Sequence, residues 1–409
     1  MADFGSTDLD AFRAEAHAWL EENFPASLRR DASAVTEAEA SGARLEGDAA
    51  LWKQRMGEKG WGTPTWPKHL GGGGLSRAEA RVLAEEMAAI GAPNPIGGMG
   101  VIMFGPTLLE YGNEDQLRTH IPPIVKGELR WCQGFSEPGA GSDLASLQTK
   151  AVDMGDHYLV SGSKIWTSGA HLADWCFCLV RTDQSKKHEG ISFLLIDMKS
   201  PGVEARPILL INGTTPFCET FFTDVKVPKE NLMGPLNGGW TIAKRLLQHE
   251  RQGISGAGQL TSGAQAGATP GPPLNILARD YVGLDEAGVL ADQDLRRRLT
   301  DHLMEAQAFQ LTGLRAAAET RSNSGPSAVS SVLKNVGSQV RQQRAELAVE
   351  ILGARGLGWD GEGFSRDEIG TMRAMLRSKS GTIAGGSQEI QNNIISKRIL
   401  GLPEVTQAR

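Results

Sequence analysis

The stretch HYLVSGSKIWTSG, residues 157–169, decides how this chain is read. Val, Ile, Tyr and Thr crowd into it and glycines punctuate it, the composition of a strand bounded by turns. Working outward, DWCFCLVRT (174–182), ISFLLIDM (191–198), GVEARPI (202–208) and ETFFTDVKVP (219–228) repeat the pattern. Each is short, rich in β-branched and aromatic residues, and set off by Gly, Asp, Lys or Pro. Residues 131–240 therefore read as a middle β domain, an antiparallel barrel or sandwich.

On both sides the period changes to that of helices. In TDLDAFRAEAHAWLEENFP (7–25), Leu9, Phe12, Ala16, Trp19 and Leu20 recur at helical spacing, with Thr7 or Asp8 as N-cap and a stop before Pro25. A Gly/Trp/Pro-rich loop, GWGTPTWPKHLGGGG (60–74), separates it from the periodic SRAEARVLAEEMAAIG (76–91). Residues 1–130 are thus expected to form an N-terminal α-helical domain. Helical signals return at GGWTIAKRLLQHER (238–251), so residues 241–409 form a C-terminal helical domain. There Leu295, Leu299 and Leu303 make one stripe, and Leu333, Val336, Val340, Leu347 and Ile351 another. GAQAGATPGPPL (263–274) reads as a loop because its prolines exclude a helix interior. The fold class is α+β, ordered helices, strands, helices, with no internal repeat.

Composition excludes some function classes. The chain has 409 residues, with 42 Lys+Arg against 48 Asp+Glu and a net charge of -6. No basic block concentrates the charge that phosphate backbones require, so nucleic acid is not an expected partner. MADFGSTDLDAF (1–12) has no signal-peptide pattern, and runs such as ISFLLIDM are too short to span a bilayer. A cytoplasmic protein without membrane contact is the expectation. Of the four cysteines, Cys132, Cys176, Cys178 and Cys218, the second and third share a strand face. They could form a metal or redox pair. Small apolar strand residues in a reducing compartment explain them more simply, since no zinc-type spacing accompanies them.

Three motifs could carry chemistry. FSEPGAGSD (135–143) packs Gly and Ala between Pro138 and Asp143, a turn whose N–H groups approach an anion closely while Ser136 and Ser142 add hydroxyls. It is neither GxGxxG nor a P-loop, and an ordinary Gly-rich turn is the simpler account of it alone. KIWTSG (164–169) sets an aromatic beside two hydroxyls, which would suit a flat ring, although a Trp buried in a sheet core accounts for it too. LLQHERQG (246–253) places His249, Glu250 and Arg251 consecutively on a helix, about 100° apart, so they cannot all face one ligand. His249 reads as structural or solvated, and Asp294 before LRRR as a solvated helix start.

The order of the motifs says more than any one of them. WCQGFSEPGAGSD (131–143), GSKIWTSGAHLADW (162–175), FFTDVKVPKENLMG (221–234), GGW (238–240) and GGSQEIQNNIISKRILG (385–401) follow one another between helical ends. Over nearly its whole length the chain resembles the acyl-CoA dehydrogenase family. The resemblance implies a helical domain, a β-barrel or sandwich and a C-terminal four-helix bundle, with FAD as cofactor. It also implies oxidation of an acyl-CoA thioester to the trans-2-enoyl-CoA, with electrons leaving to an electron-transfer flavoprotein. A homotetramer or an α2β2 heterotetramer is the implied assembly.

By that resemblance, Gln133, Phe135, Ser136, Gly141 and Ser142 contact flavin and, at Ser142, the pantetheine of CoA. Trp166, Thr167 and Ser168 reach the flavin ring, Ser168 keeping the hydroxyl that many members supply from Thr. Glu350 and Gly353, in EILGARG (350–356), fall in the segment for the FAD pyrophosphate or adenine, usually given by a neighbouring subunit. Many members start that segment with Gln, whereas Glu350 brings negative charge. Gly386, Ser387, Gln388 and Glu389 match the turn that meets flavin and thioester.

Many members carry their base in this turn, where the present chain has Ala384 and Gly385 and no carboxylate. Other members carry the base on the first bundle helix just before an Arg. HER matches them, with Glu250 as base and Arg251 beside it as a substrate-side residue; Glu389 is the rival carboxylate. A second departure is the absence of R-x-x-F-G, whose place is taken by residues 263–290. Three functions follow: an acyl-CoA dehydrogenase with Glu250 as base, a subunit whose flavin site another chain completes, or a relative that uses oxygen.

Overall fold

The computed structural model describes residues 6–35, 44–254, 272–320 and 329–403; at 6–8, 250–254 and 317–320 the description is confined to the backbone. An N-terminal helical region, a central curled sheet and C-terminal helices follow in that order. They divide into two compact units. The first holds the chain up to Ile208 with Thr215–Glu250, and the second holds Leu209–Thr214 with the described residues from Arg251 onward.

In the first unit, α1 (Ser6–Asn23) begins ahead of Thr7 and Asp8, so neither is its N-cap, and it ends before Pro25 as expected. It buries Phe12, Ala16 and Leu20 against α2 (Gly47–Lys59) and α3 (Arg77–Ala89), around Trp52, Met56, Trp61, Val82 and Leu83. A capping box closes the start of α3, Ser76 accepting from the Glu79 N–H while Glu79 reaches back. Next come α4 (Gly105–Tyr111) and α5 (Glu114–Val125). Gly105 has no freedom to be anything larger: a Cβ there would lie 2.0 Å from the Trp66 ring.

The strands are β1 (Trp131–Gly134), β2 (Lys150–Asp153), β3 (His157–Ser168), β4 (Trp175–Arg181), β5 (Ile191–Asp197), β6 (Val203–Ile208) and β7 (Phe217–Pro228). They form one seven-stranded sheet in the order β1-β4-β2-β3-β7-β6, with β5 pairing β4 off that path. Pairing is mostly antiparallel, but β1 runs parallel to β4, with Cys132 opposite Cys176. A parallel neighbour demands a crossover, and the chain makes it through residues 135–149, the loop that carries EPGAGSD. Topology thus leaves that motif at the end of the sheet. Cys132, Cys176, Cys178 and Cys218 are free, buried thiols within the sheet core.

Helix α6 (Gly239–Ile254) closes the first unit, burying Ile242, Ala243 and Leu246 in the core that includes Phe104, Trp131, Phe135, Phe177 and Phe193. Arg245 grips Glu110 of α4 with contacts of 2.7 to 3.1 Å.

The second unit contains α7 (Leu274–Tyr281), α8 (Gln293–Thr320), α9 (Val329–Leu352), α10 (Arg366–Ser378) and α11 (Gln388–Ile394). Helix α9 is its spine, packing against the other four. Leu333, Val340, Leu347 and Ile351 are buried as their spacing predicts, and Val336 is half-buried. Leu295 and Leu299 are buried as well, but Leu303 is 51% exposed: each step of four turns a side chain about 40° further round the helix, and His302 takes the buried place instead. The loop read over 263–274 falls largely outside the described residues.

His120 on α5 shows what this packing does to a titratable group. Its ring stands edge-on to Trp131 and Trp175, with centroids 5.1 and 4.9 Å away, and its Nδ1 has no partner. Burial pushes its pKa down from 6.5 to about 4. Between those values the unfolded chain takes up a proton that the folded chain refuses, so stability falls as pH drops from 6.5 towards 4. The loss attributable to His120 is about 3 kcal/mol. In urea unfolding at pH 7 and pH 4.5, His120→Phe is expected to flatten that part of the pH dependence.

Candidate active site

The first unit builds its site on the crossover loop and the end of β3. One carboxylate organises both. Glu137, 8% exposed, accepts the N–H groups of Gln148 at 2.6 Å and Thr149 at 2.9 Å. It also accepts the Lys164 ammonium at 2.8 Å, from a side chain with no exposed surface. Lys164 donates further to the Phe135 carbonyl at 3.2 Å. From β4, Arg181 donates to the Ala145 and Leu147 carbonyls. Burial alone would raise the Glu137 carboxyl, but the Lys164 charge and these hydrogen bonds outweigh it and hold the group below its ordinary pKa.

With its inner side tied down, the loop presents small residues outward. Gly141 and Ser142 are exposed, Ser136 is half-buried, and a Cβ at Gly139 or Gly141 would meet nothing within 4 Å. Gln133 is half-buried on β1. Phe135 points the other way: its ring packs edge-on against Phe177 and Phe193 at 6.0 and 6.1 Å, so the core takes its side chain.

Two residues beyond Lys164, the β3–β7 register shifts between Lys164 and Thr167. The bulge puts Trp166 in the left-handed region, φ 61°, and leaves it 53% exposed, its ring edge-on to Phe217 at 6.0 Å. Such strain in a bulky residue is a mark of functional sites. The Thr167 Oγ1 is buried without a partner, and Ser168 is half-buried beside it. An exposed aromatic face, adjoining hydroxyls and an open Gly-rich loop are residues that fit a flat heteroaromatic ring such as flavin.

Glu250 and Arg251 lie on the backbone of α6, about one and a half turns beyond Arg245, and their side chains fall outside the described residues. His249 is half-buried, with Nε2 3.7 Å from Glu110; burial first, then Arg245, lowers its pKa while Glu110 opposes them.

The second unit places the other expected residues. Gly353 has φ 53° and open space around a Cβ position. Arg355, two residues on, is clamped by Glu368 at 2.6 and 2.7 Å, and Glu368 also accepts the Tyr281 hydroxyl. Glu350 is not free. Arg298 of α8 donates to both its oxygens, one at 2.7 Å, while also pairing with Asp294. Those bonds, Arg298 first, hold the Glu350 carboxyl below its ordinary pKa. A carboxylate so engaged offers nothing to a phosphate, so Glu350 itself does not fit a pyrophosphate. Ser387 caps α11, and Gln388 is half-buried. Glu389 is exposed, and Ser387 holds its carboxyl low, which ill suits a general base. Gly385 and Gly386 form a turn with φ 67° and 86°.

Sequence reasoning did not single out Glu137, Lys164 or Arg181. A Lys inside the apolar run around KIW was the available signal, since a charged side chain on an inward strand position needs a buried partner. Lys164→Met would strand Glu137 in the core and is expected to cost about 3–5 kcal/mol. Glu137→Gln with Lys164→Met should recover part of that loss, read as the urea midpoint.

Known proteins agree with this layout along the chain. Models described as acyl-CoA dehydrogenase N-terminal, middle and C-terminal domains match residues 6–128, 132–225 and 237–400. Acyl-CoA dehydrogenase IpdE1 of Mycobacterium tuberculosis is 38% identical over 407 residues, 97% of this chain and 98% of that protein. A solved structure titled Tcur3481-Tcur3483 steroid ACAD superposes with a TM-score of 0.74 at 30% identity, covering 99% of this chain and all of that one. For the ChsE4-ChsE5 complex from Mycobacterium tuberculosis the TM-score is 0.71 at 29% identity, again over 99% and 100%. Among the described residues no helix is long and apolar enough to cross a membrane.

Proposed function

Because this chain belongs to the acyl-CoA dehydrogenase family, we propose that it acts on an acyl-CoA thioester as one of two unlike chains of an α2β2 assembly, its flavin site completed by the other chain. The observation that carries the two-chain reading is the Arg298–Glu350 ion pair. In an assembly of identical chains every FAD would meet that carboxylate in the segment where the resemblance seats the pyrophosphate. An unlike partner supplies a different surface there. The missing R-x-x-F-G points the same way, and two of the solved structures above carry paired protein names in their titles. The word steroid in one of them makes a polycyclic acyl group the first substrate class to try.

When bound, FAD supplies the acceptor for the hydride from the β-carbon. The chain does the rest. Trp166, Thr167 and Ser168 hold the ring, and the loop from Ser136 to Ser142 holds the ring and the pantetheine. Glu250 takes the α-proton on its carboxylate, with Arg251 beside it on the substrate side. Gly385 and Gly386 hold the thioester oxygen, because a turn without a side chain lets backbone N–H groups approach it. An electron-transfer flavoprotein then receives the electrons.

The test has two arms. Expressed alone, the chain should carry well under one FAD per subunit, and Glu350→Gln, which removes the carboxylate, should raise that occupancy. A yellow homotetramer with one FAD per chain overturns the two-chain reading. In anaerobic titrations of flavin-loaded protein with short, branched, long and polycyclic acyl-CoAs, Glu250→Gln should keep its flavin and lose about 10²- to 10⁴-fold in bleaching rate. Unchanged bleaching removes Glu250 as the base.

A further inference from the structure

Behind the Gly385–Gly386 turn sits a buried ammonium that the reading above does not use. Lys334, on α9, is fully buried, and its Nζ donates to the Gly386 carbonyl at 2.5 Å. Gln391, 1% exposed, donates Nε2 to the Gly385 carbonyl at 2.9 Å. Peptide units here are trans, so each N–H points opposite to its own carbonyl. With both carbonyls drawn inward, the N–H groups of the same two peptide units are turned outward.

An ammonium has three hydrogens to donate, and the Gly386 carbonyl takes one. Among the described residues no carboxylate forms an ion pair with Lys334. Burial, and then Arg341 on the same helix, lowers its pKa, while Glu389 from α11 opposes them from beyond bonding distance. A buried charge without a counter-ion is costly, and a Met would fill the space without that cost. The cost falls beside the turn where many family members keep a carboxylate and this chain has Ala384 and Gly385.

We propose that Lys334 is the positioning residue of this turn, its ammonium fixing and polarising the Gly386 peptide so that the outward N–H groups hold the thioester oxygen of the acyl-CoA. The inference rests on the reading of this turn as the thioester contact. As the α C–H bond breaks, the proton passes to the Glu250 carboxylate and the electron pair delocalises towards the thioester oxygen. Positive charge behind the turn, with no carboxylate at residues 384–386, stabilises that oxygen as it gains charge.

Flavin-loaded protein, alone or with the chain that completes it, is compared as wild type, Lys334→Met and Lys334→Arg. The ligand is an acyl-CoA analogue with sulfur at C3, which can lose its α-proton but not a hydride. Its long-wavelength charge-transfer absorbance is followed against pH. Lys334→Met is expected to raise the apparent pKa of the bound α-proton by about one to two units and to slow bleaching by good substrates roughly 10- to 100-fold. Lys334→Arg, which keeps the charge, should restore most of both. The same Met variant should unfold at equal or higher urea, since it removes an unpaired buried charge. A pKa and rate like wild type, or a loss of stability with no rescue by Arg, overturns the proposal and makes Lys334 a structural tie. If wild type neither bleaches nor binds the analogue, the thioester reading itself fails; the urea comparison, which needs no ligand, then decides against Lys334 if the Met variant is the less stable.

Discussion

Lys164 and Glu137 meet inside the first unit, at the point where the crossover loop returns to the sheet, and most of the site geometry hangs on that contact. Glu137 closes the loop by taking two backbone N–H groups from its far end. Lys164 connects the closed loop to β3 just before the bulge that lifts Trp166 out of the sheet. A charge pair in a core is weak evidence for stability, since two well-packed apolar residues often do as well. It is better evidence for specification. Apolar side chains would tolerate several loop positions, whereas an ammonium and a carboxylate sharing four hydrogen bonds tolerate one.

The second unit follows a related logic with a different result. Helix α9 packs against α7, α8, α10 and α11 and carries towards its ends two charges with opposite fates. Glu350, near the C-terminal end, finds Arg298 and is neutralised at the surface. Lys334, near the N-terminal end, is fully buried and among the described residues bonds a carbonyl and no carboxylate. The first arrangement puts an ion-paired carboxylate in the segment where the resemblance implies a phosphate. The second leaves positive charge behind a glycine turn. Each departs from a pattern that composition alone would treat as interchangeable polar residues on a long helix.

Much of the layout was legible in the residues. The change from a period near four to alternation at residue 131, and back near 240, marks the sheet, because a half-buried strand and an amphipathic helix need different spacings of apolar side chains. The stripe from Leu333 to Ile351 reads as core for the same reason. The failures are local. Thr7 and Asp8 read as caps because propensity cannot see where the first turn closes. Leu303 continues the four-residue spacing of Leu295 and Leu299, yet each such step turns the side chain about 40° further round α8, so His302 is buried and Leu303 faces out. Phe135 sits in a motif that the resemblance places at a ligand; its ring packs on Phe177 and Phe193, where it removes most surface from water, which the motif alone does not show.

By itself the sequence determined the order of helices, strands and helices, the place of the Gly-rich loop and of KIWTSG, and the loss of a carboxylate at residues 384–386. Those follow from local periodicity and residue identity. Tertiary structure alone decided which charges meet: Glu137 with Lys164 across 27 residues, Glu350 with Arg298 across 52, and Lys334 with the Gly386 carbonyl across 52. No local rule couples positions so far apart. Only folding brings them within hydrogen-bonding range, and only there does burial make a charge costly enough to demand a partner.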